Sequence, residues 1–306
     1  MSATNRPTWR ARRLGKELRD LREARGLHAR AAAEHLECTQ PRMSQIEAGT
    51  RALRPAELKS LLVDLYEVKD KDYVARLCQL LRDRSKKAWT TADGPMLHAD
   101  LQDYLTIEED AKRVRTYEHS AIPGLLQTED YANLILGLST PVASVAPLLA
   151  ARMNRQKKLL EEGFELRVVI DLQALYRIPT AVAAGQLKHL KEQAQSTNVT
   201  VQVLPTNAQM PLDYCPPFTI LSMTGTDAPE EETGNGSKED FGAAAVAAAT
   251  WSLDVVWLEH RTGASMLEGL NDLAAYEAAW AEMSAAALSP VDSQKCMQVA
   301  AKEITQ

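Results

Sequence analysis

Residues 39–51, TQPRMSQIEAGTR, carry amide, hydroxyl and guanidinium side chains at spacings that suit contact with DNA bases. Gln40, Ser44 and Gln45 stand at i, i+4 and i+5, so they share one edge of a helix. Gln can pair with N6 and N7 of adenine in the major groove, and Arg with O6 and N7 of guanine. We therefore expect Gln40 and Gln45 to contact bases, while Arg42 takes a guanine or a phosphate.

Residues next to that edge suit the DNA backbone. Thr39 precedes the helix N-terminus, where N–H groups attract anions, and Arg51 and Arg54 follow the helix. The predicted DNA-contacting residues are Arg30, Thr39, Gln40, Pro41, Arg42, Ser44, Gln45, Arg51 and Arg54. The alternative is a small helical bundle whose polar third helix binds nothing.

A pair of short helices is predicted to position this edge. Met43 and Ile46, three residues apart, form a narrow apolar stripe that faces the domain interior. The Thr39 side chain is expected to cap the helix, and Gly49 to end it. A three-residue link, ECT, joins it to an alanine-rich helix over 29–36. Two short helices joined in this way are typical of the helix-turn-helix, whose second helix enters the major groove.

Leucine spacing predicts the other helices of this region. It indicates a first helix that ends near Gly26, a fourth over 54–68 and a fifth over 70–89. We therefore expect an all-α, five-helix domain over 1–89, followed by a linker over 90–96.

The segments LREARGL, AAAEHL, TQPRMSQIEAG and LKSLLVDLYEV resemble the Xre/Cro-type helix-turn-helix regulators related to phage repressors. The resemblance covers roughly residues 12–68. It implies a largely buried ion pair between Arg22 and Glu47, so that Glu47 is structural. Two positions depart from the pattern: Glu37 stands where the turn commonly has Gly, and Ala29 where the second helix often begins with Gln.

The charge of the chain is divided unevenly. Over all 306 residues the formal net charge is −6, but residues 1–90 carry +8 and residues 91–306 carry −14. Such asymmetry favours an N-terminal part that binds a polyanion, joined to an acidic domain.

Composition narrows the class of protein. A hydrophobic content of 45% and a charged content of 25% are typical of a globular protein. No apolar run approaches the ~18 residues that a membrane span needs, and no apolar core follows the basic N-terminus. The four cysteines are far apart and lack nearby histidines, so we expect reduced thiols in the cytoplasm and no metal site.

Residues 97–306 are predicted to form an acidic α/β domain, a small mixed sheet flanked by helices. One long helix is expected over 97–120, another from Thr128 and another over 144–162. Strands are predicted over 164–171, 198–205, 217–223 and 251–259, with a helix over 180–195 and two closing helices. Strand–helix–strand order makes the first two strands parallel. The acidic segment 224–250 is expected to be a disordered loop, and the fold class of the whole chain is α+β.

The segments IPGLLQTEDYA, ARMNRQKKL, LQALYR, QLKHL and NVTVQVLP resemble the C-terminal domain of actinobacterial, WhiJ-like Xre regulators, which are antitoxin-like. The resemblance covers about residues 97–290. It implies binding to a small BldB-related partner protein or to an unidentified ligand.

Two groups of residues are candidates for that partner or ligand. Arg152, Arg155 and Gln156 share one helix face, and Gln127 and Tyr131 lie in or after a turn. Alternatives exist for both groups: the arginines can pair internally with acids of the 97–120 segment (Glu108 or Glu109), and the turn can be purely structural.

The sequence offers no catalytic pattern. Its histidines are scattered, and it contains neither HExxH nor GxSxG. We therefore expect no enzyme and no cofactor, but a transcriptional regulator that binds a double-stranded operator, an inverted repeat, as a homodimer. The alternative is an antitoxin-like protein that sequesters a small partner and binds DNA only to regulate its own expression.

Overall fold

The computed structural model describes residues 7–85, 99–139, 142–208, 215–223, 253–260 and 263–304. By its internal contacts the chain divides into two compact units, Met1–Ala88 and Trp89–Gln306. The first is helical and the second contains a mixed sheet among helices, so the predicted α+β class is confirmed. The linker predicted over 90–96 and the loop predicted over 224–250 lie outside the described residues.

The first unit contains the five predicted helices. They are α1 (Trp9–Ala24), α2 (Ala29–His35), α3 (Gln40–Glu47), α4 (Pro55–Lys59) and α5 (Lys71–Asp83). A π-helical turn over Ser60–Leu65 continues α4. The tight turn between α2 and α3 places Glu37, the residue that replaces the usual Gly, at φ +50°. A non-glycine residue at positive φ is strained, so this turn costs the chain some stability.

Helix α3 packs so closely against α1 that their backbones are in contact. A Cβ atom on Gly15 of α1 would stand 2.4 Å from the carbonyl oxygen of Glu47. Gly49, directly after α3, has φ +73°, and a Cβ atom there would stand 2.7 Å from the carbonyl oxygen of Ala11. Because only glycine fits at both contacts, the C-terminal end of α3 is fixed on α1.

The second unit is built on a six-stranded sheet of order β3-β2-β1-β4-β5-β6. The strands are β1 (Arg113–Glu118), β2 (Glu165–Asp171), β3 (Val199–Leu204), β4 (Phe218–Ser222), β5 (Val255–His260) and β6 (Gly263–Leu267). Strands β1, β2 and β3 run parallel, which confirms the predicted parallel pair β2–β3, and the other pairings are antiparallel.

Helices surround this sheet. They are α6 (Ala99–Asp110), α7 (Glu129–Ser139), α8 (Val142–Arg155), α9 (Leu172–Tyr176), α10 (Thr180–Gln193), α11 (Leu270–Ala286) and α12 (Pro290–Ile304). A 3-10 turn over Gln156–Leu160 continues α8. On one sheet face, Tyr117, Phe218 and Val256 pack in a buried cluster with Leu273 and Trp280 of α11.

The predicted single helix over 97–120 is wrong. Helix α6 ends at Asp110, and the next residues form β1, a central strand. The alternation of RVRTYE is a strand pattern, but its two arginines gave it a polar, helix-like composition. In the fold Arg113 pairs with Glu165 and Arg115 with Glu277, both distant in sequence, so these charges are accommodated inside the sheet.

Strand β6 was not predicted. Its sequence, GASML, contains small residues that favour neither strand nor helix strongly. It forms because β5 supplies an antiparallel partner, from Val256 opposite Leu267 to His260 opposite Gly263.

Candidate nucleic-acid interface

The polar edge of α3 is exposed, and its apolar stripe is buried. Gln40, Ser44 and Gln45 all lie at the surface, as does Pro41. Met43 is fully buried on the other side, and Ile46 is 3% exposed. This arrangement leaves the two glutamine amides free to meet the donors and acceptors of base edges.

An ion pair fixes the C-terminal end of α3. The Arg22 guanidinium donates from Nε to Oε1 of Glu47 at 2.7 Å and from Nη2 to Oε2 at 3.0 Å. Both side chains are buried, and the hydrogen bond from Arg22 to Glu47 raises the pKa of Arg22. A third bond, from Nη1 to the carbonyl oxygen of Leu27, leaves Arg22 well satisfied. This pair is the one that the Xre/Cro resemblance implies, and it assigns Glu47 a structural place rather than a DNA contact.

The cap expected at Thr39 is wrong in one respect. Thr39 occupies the N-cap position with extended backbone, φ −79° and ψ 148°, but its side chain makes no capping hydrogen bond. The residue is exposed. Its hydroxyl thus stays available beside the helix N-terminus, where anions are favoured.

A buried carboxylate holds two of the predicted DNA-contacting arginines. Arg42 and Arg54 each donate from Nη2 to Oε1 of Glu57 at 2.9 Å, and the backbone N–H of Arg54 donates to Oε2 at 2.7 Å. Burial alone would raise the pKa of Glu57, but these hydrogen bonds outweigh it and bring the pKa to about 2. Sequence reasoning missed Glu57, although its place three residues after the N-cap Arg54 is a capping-box signal.

The four arginines therefore differ in availability. Arg42 is half-buried against Glu57, whereas the Arg54 side chain is 81% exposed despite its bond. Arg30 is exposed and pairs with Glu34 on its own helix. Arg51 is exposed, and no side-chain partner for it exists within the part of the chain that the structure describes. Arg51 and Arg54 are thus more accessible to solvent than Arg42.

The candidate partner residues of the second unit meet, but through internal bonds. Arg155 forms two hydrogen bonds with Glu108, Nε to Oε2 at 2.6 Å and Nη2 to Oε1 at 2.8 Å. Gln156 donates to the carbonyl oxygens of Gly124 and Gln127. The alternative of internal pairing with Glu108 is therefore what the structure shows for Arg155.

The turn residues are equally engaged. Gln127 is 4% exposed and donates to the carbonyl oxygen of Ile122 at 2.6 Å. Tyr131 is 2% exposed, and its hydroxyl accepts from the Ile122 N–H at 3.3 Å. Buried side chains of this kind cannot form a docking surface for a protein. Gln127 and Arg152 instead bond to each other at 2.8 Å on the wall of a cavity of about 330 Å³.

The described residues lack two other classes of site. No three His, Cys, Asp or Glu side chains among them lie close enough together to hold a metal ion. No described helix is both long and apolar enough to cross a membrane.

Comparison with family models gives two matches, and each falls within one of the two compact units. Residues 13–77 match a helix-turn-helix domain, and residues 101–298 match a domain of unknown function, DUF5753. Comparison with curated proteins and with solved structures gave no match. The helix-turn-helix match contains α2 and α3 together with the buried ion pair that fixes α3 on α1.

Proposed function

The chain belongs to the DUF5753 family, and we propose that it is a sequence-specific DNA-binding transcriptional regulator. The observation that carries the proposal is the exposed edge of α3: Gln40, Ser44 and Gln45 face solvent while Met43 and Ile46 fix the helix from behind. The helix-turn-helix match over 13–77 and the net charge of +8 in residues 1–90 support it. A polyanion is attracted by that charge, and α3 supplies the groups that distinguish one base from another.

In the proposed complex α3 lies in the major groove. Gln40 and Gln45 pair with adenines, and Thr39, Arg51 and Arg54 bind phosphates on either side of the groove. Helix-turn-helix proteins of this type commonly work as dimers on half-sites ~34–36 Å apart. We therefore propose a homodimer of Xre type on an inverted repeat.

The second unit is proposed to receive an effector, a small ligand or a small partner protein, that changes DNA binding. The cavity beside Gln127 and Arg152 favours a ligand, since a small molecule can enter where a protein surface cannot. The competing proposal is an antitoxin-like protein whose main task is to sequester a small partner.

Selection of bound sequences from random duplexes at physiological salt tests the DNA role. We expect enrichment of an inverted repeat with adenines in each half. Recovery of sequences without any enriched motif would overturn the proposal. Arg51→Ala is the matched control for specificity: it should weaken all sequences alike and reduce the salt slope by about one, without changing the motif.

A further inference from the structure

The cavity in the second unit lies on the sheet face opposite the α11 cluster. Its floor is a cross-strand row in which Thr116 of β1 stands opposite Thr219 of β4, and Thr219 stands opposite Trp257 of β5. The remaining walls come mainly from α6, α7 and α8 and from the turn over 120–127. Its volume of about 330 Å³ falls at the lower end of the range for small-molecule sites, ~300–1,000 Å³.

A buried donor on this floor has no acceptor. Trp257 is 4% exposed, and its indole Nε1 makes no hydrogen bond within the described residues. Buried indole N–H groups usually find a partner, because an unsatisfied donor has lost its hydrogen bonds to water without replacement. The adjacent hydroxyls do not serve, since Thr116 and Thr219 bond to each other at 3.0 Å. An acceptor on a bound molecule would satisfy the indole.

Two carboxylates border the same cavity. Glu118 at the end of β1 is half-buried and Glu259 on β5 is exposed, and neither has an ion-pair partner in the described ranges. Burial, and secondarily the negative charge of Glu259, raise the pKa of Glu118 to about 8. A cation placed between them would relieve both the burial cost and the mutual repulsion.

A guanidinium stands across from them on α8. Arg152 donates to the Gln127 amide oxygen, but it pairs with no carboxylate among the residues described. Burial, together with the nearby Arg155, lowers its pKa, and the negative charge of Glu259 offsets this only in part. Arg155 differs, because Glu108 already neutralises it. Arg152 is thus a partly buried positive charge that an acceptor or an anionic group would stabilise.

From these three features we propose that the cavity binds a small molecule with an apolar body that carries both a protonated amine and a hydrogen-bond acceptor, a carbonyl or carboxylate. The amine lies at Glu118 and Glu259, and the acceptor meets the Trp257 indole and the Arg152 guanidinium. Apolar walls that include Tyr104, whose ring lies 5.1 Å from that of Trp257, receive the remainder. The proposal rests on the effector role proposed above for the second unit, and it names the chemical class of the effector.

A metal ion fits the cavity less well. Divalent cations such as Ca²⁺ take six or more oxygen ligands, and Glu118 and Glu259 are the only carboxylates among the described lining residues. The indole N–H is a donor and cannot ligate a metal ion. An amine with an acceptor satisfies all of these groups together.

Ligand-observed NMR on the full chain tests the proposal with three probe sets at about 1 mM. The first set has amine and acceptor: L-leucine, L-phenylalanine and L-tryptophan with their primary amides. The second has the amine alone, isoamylamine and phenethylamine, and the third the carboxylate alone, isovalerate and phenylacetate. We expect saturation transfer to members of the first set above all, and the amides show whether a carbonyl suffices. No transfer to the first set, or equal transfer to the third, would overturn the proposal.

Two variants locate the binding. Glu118→Gln should weaken probe binding about 10- to 100-fold, because one charge-assisted hydrogen bond is lost. Trp257→Phe should weaken it about 3- to 10-fold, because one neutral hydrogen bond is lost. The matched controls are Glu282→Gln, an exposed acid on α11, and Trp280→Phe, a buried indole on the other sheet face. If the controls weaken binding as much as the cavity variants, the site is elsewhere. Duplex selection on the same protein is scored separately, so a regulator that lacks this ligand is distinguished from a protein that does not bind DNA.

Discussion

The two units place their polar side chains in opposite ways. In the helix-turn-helix unit the amides of Gln40 and Gln45 are exposed, and buried groups behind them hold α3 in place. In the sheet unit, Gln127 and Arg152 bond to each other on the wall of a cavity, and no described residue offers the Trp257 indole an acceptor. A convex edge suits a large, rigid partner such as a duplex. A concave, partly unsatisfied cavity suits a small molecule that completes its hydrogen bonds.

A pair of carboxylates makes the same contrast in electrostatics. Glu57 is surrounded by arginine donors, which bring its pKa to about 2 against the effect of burial. Glu118 has no such donors in the part of the chain that the structure describes, and burial with Glu259 nearby raises its pKa to about 8. The first carboxylate has its partners inside the fold. The second lacks them, which is why we infer that a ligand supplies one.

Removing the buried pair behind α3 should have the largest effect on stability. Arg22→Ala leaves the Glu47 carboxylate, 5% exposed, without its main partner, and such a loss costs about 3–5 kcal/mol. Urea unfolding of the full chain measures this loss from the unfolding transition of the first unit. Arg19→Ala is the matched control: Arg19 meets the same carboxylate at 3.4 Å but is half exposed, so its loss should cost less than about 1 kcal/mol. Equal losses would show that the pair does not fix α3.

Substitutions on the exposed edge of α3 should have the reverse effect: they should change DNA discrimination and leave stability nearly unchanged. Gln40→Ala with Gln45→Ala should leave the free energy of unfolding nearly unchanged, because both side chains are at the surface. Discrimination between operator and random duplex should fall by about 1–3 kcal/mol for each lost contact. Competition binding at fixed salt measures it. A double variant that keeps full discrimination would remove α3 as the reading element.

Sequence patterns showed the first unit far better than the second, for a physical reason. The edge of α3 is a local feature: its residues are neighbours on one helix, so spacing alone predicted their exposure. Strand β1 was missed because Arg113 and Arg115 find their carboxylates, Glu165 and Glu277, only after the chain has folded. The cavity was beyond sequence reasoning, since its walls join segments more than a hundred residues apart. Periodicity indicates local structure and carries no information on such long-range contacts.

The Glu57 carboxylate should stabilise the first unit in a pH-dependent manner. Its pKa is lowered from 4.5 to about 2, so its contribution is complete above pH 4.5 and is lost as the pH falls toward 2. Glu57→Gln should therefore cost about 1–3 kcal/mol at pH 7 and less at each step below pH 4.5. Thermal melts of both proteins at pH 7, 4 and 3 measure the difference. A cost that stays constant over this range would mean that the charge of Glu57 is not what Arg42 and Arg54 bind.

Glu118 should show the opposite sign, with a smaller effect because the side chain is partly open to solvent. Its pKa is raised from 4.5 to about 8, so the folded state holds a proton that the unfolded chain releases. The free energy of unfolding should therefore fall as the pH rises from 4.5 to 8. The charged or titratable groups that line the cavity with Glu118 are Glu259, Arg152, Arg155 and Tyr104. Glu118→Gln removes this penalty, so the variant should match the parent near pH 4.5 and exceed it by about 1–2 kcal/mol above pH 8. Melts across this range measure the gap, and a bound amine should close it by giving the carboxylate its missing partner. A gap that narrows with rising pH would place Glu118 among the satisfied carboxylates, beside Glu57, and would remove the electrostatic contrast between the two units.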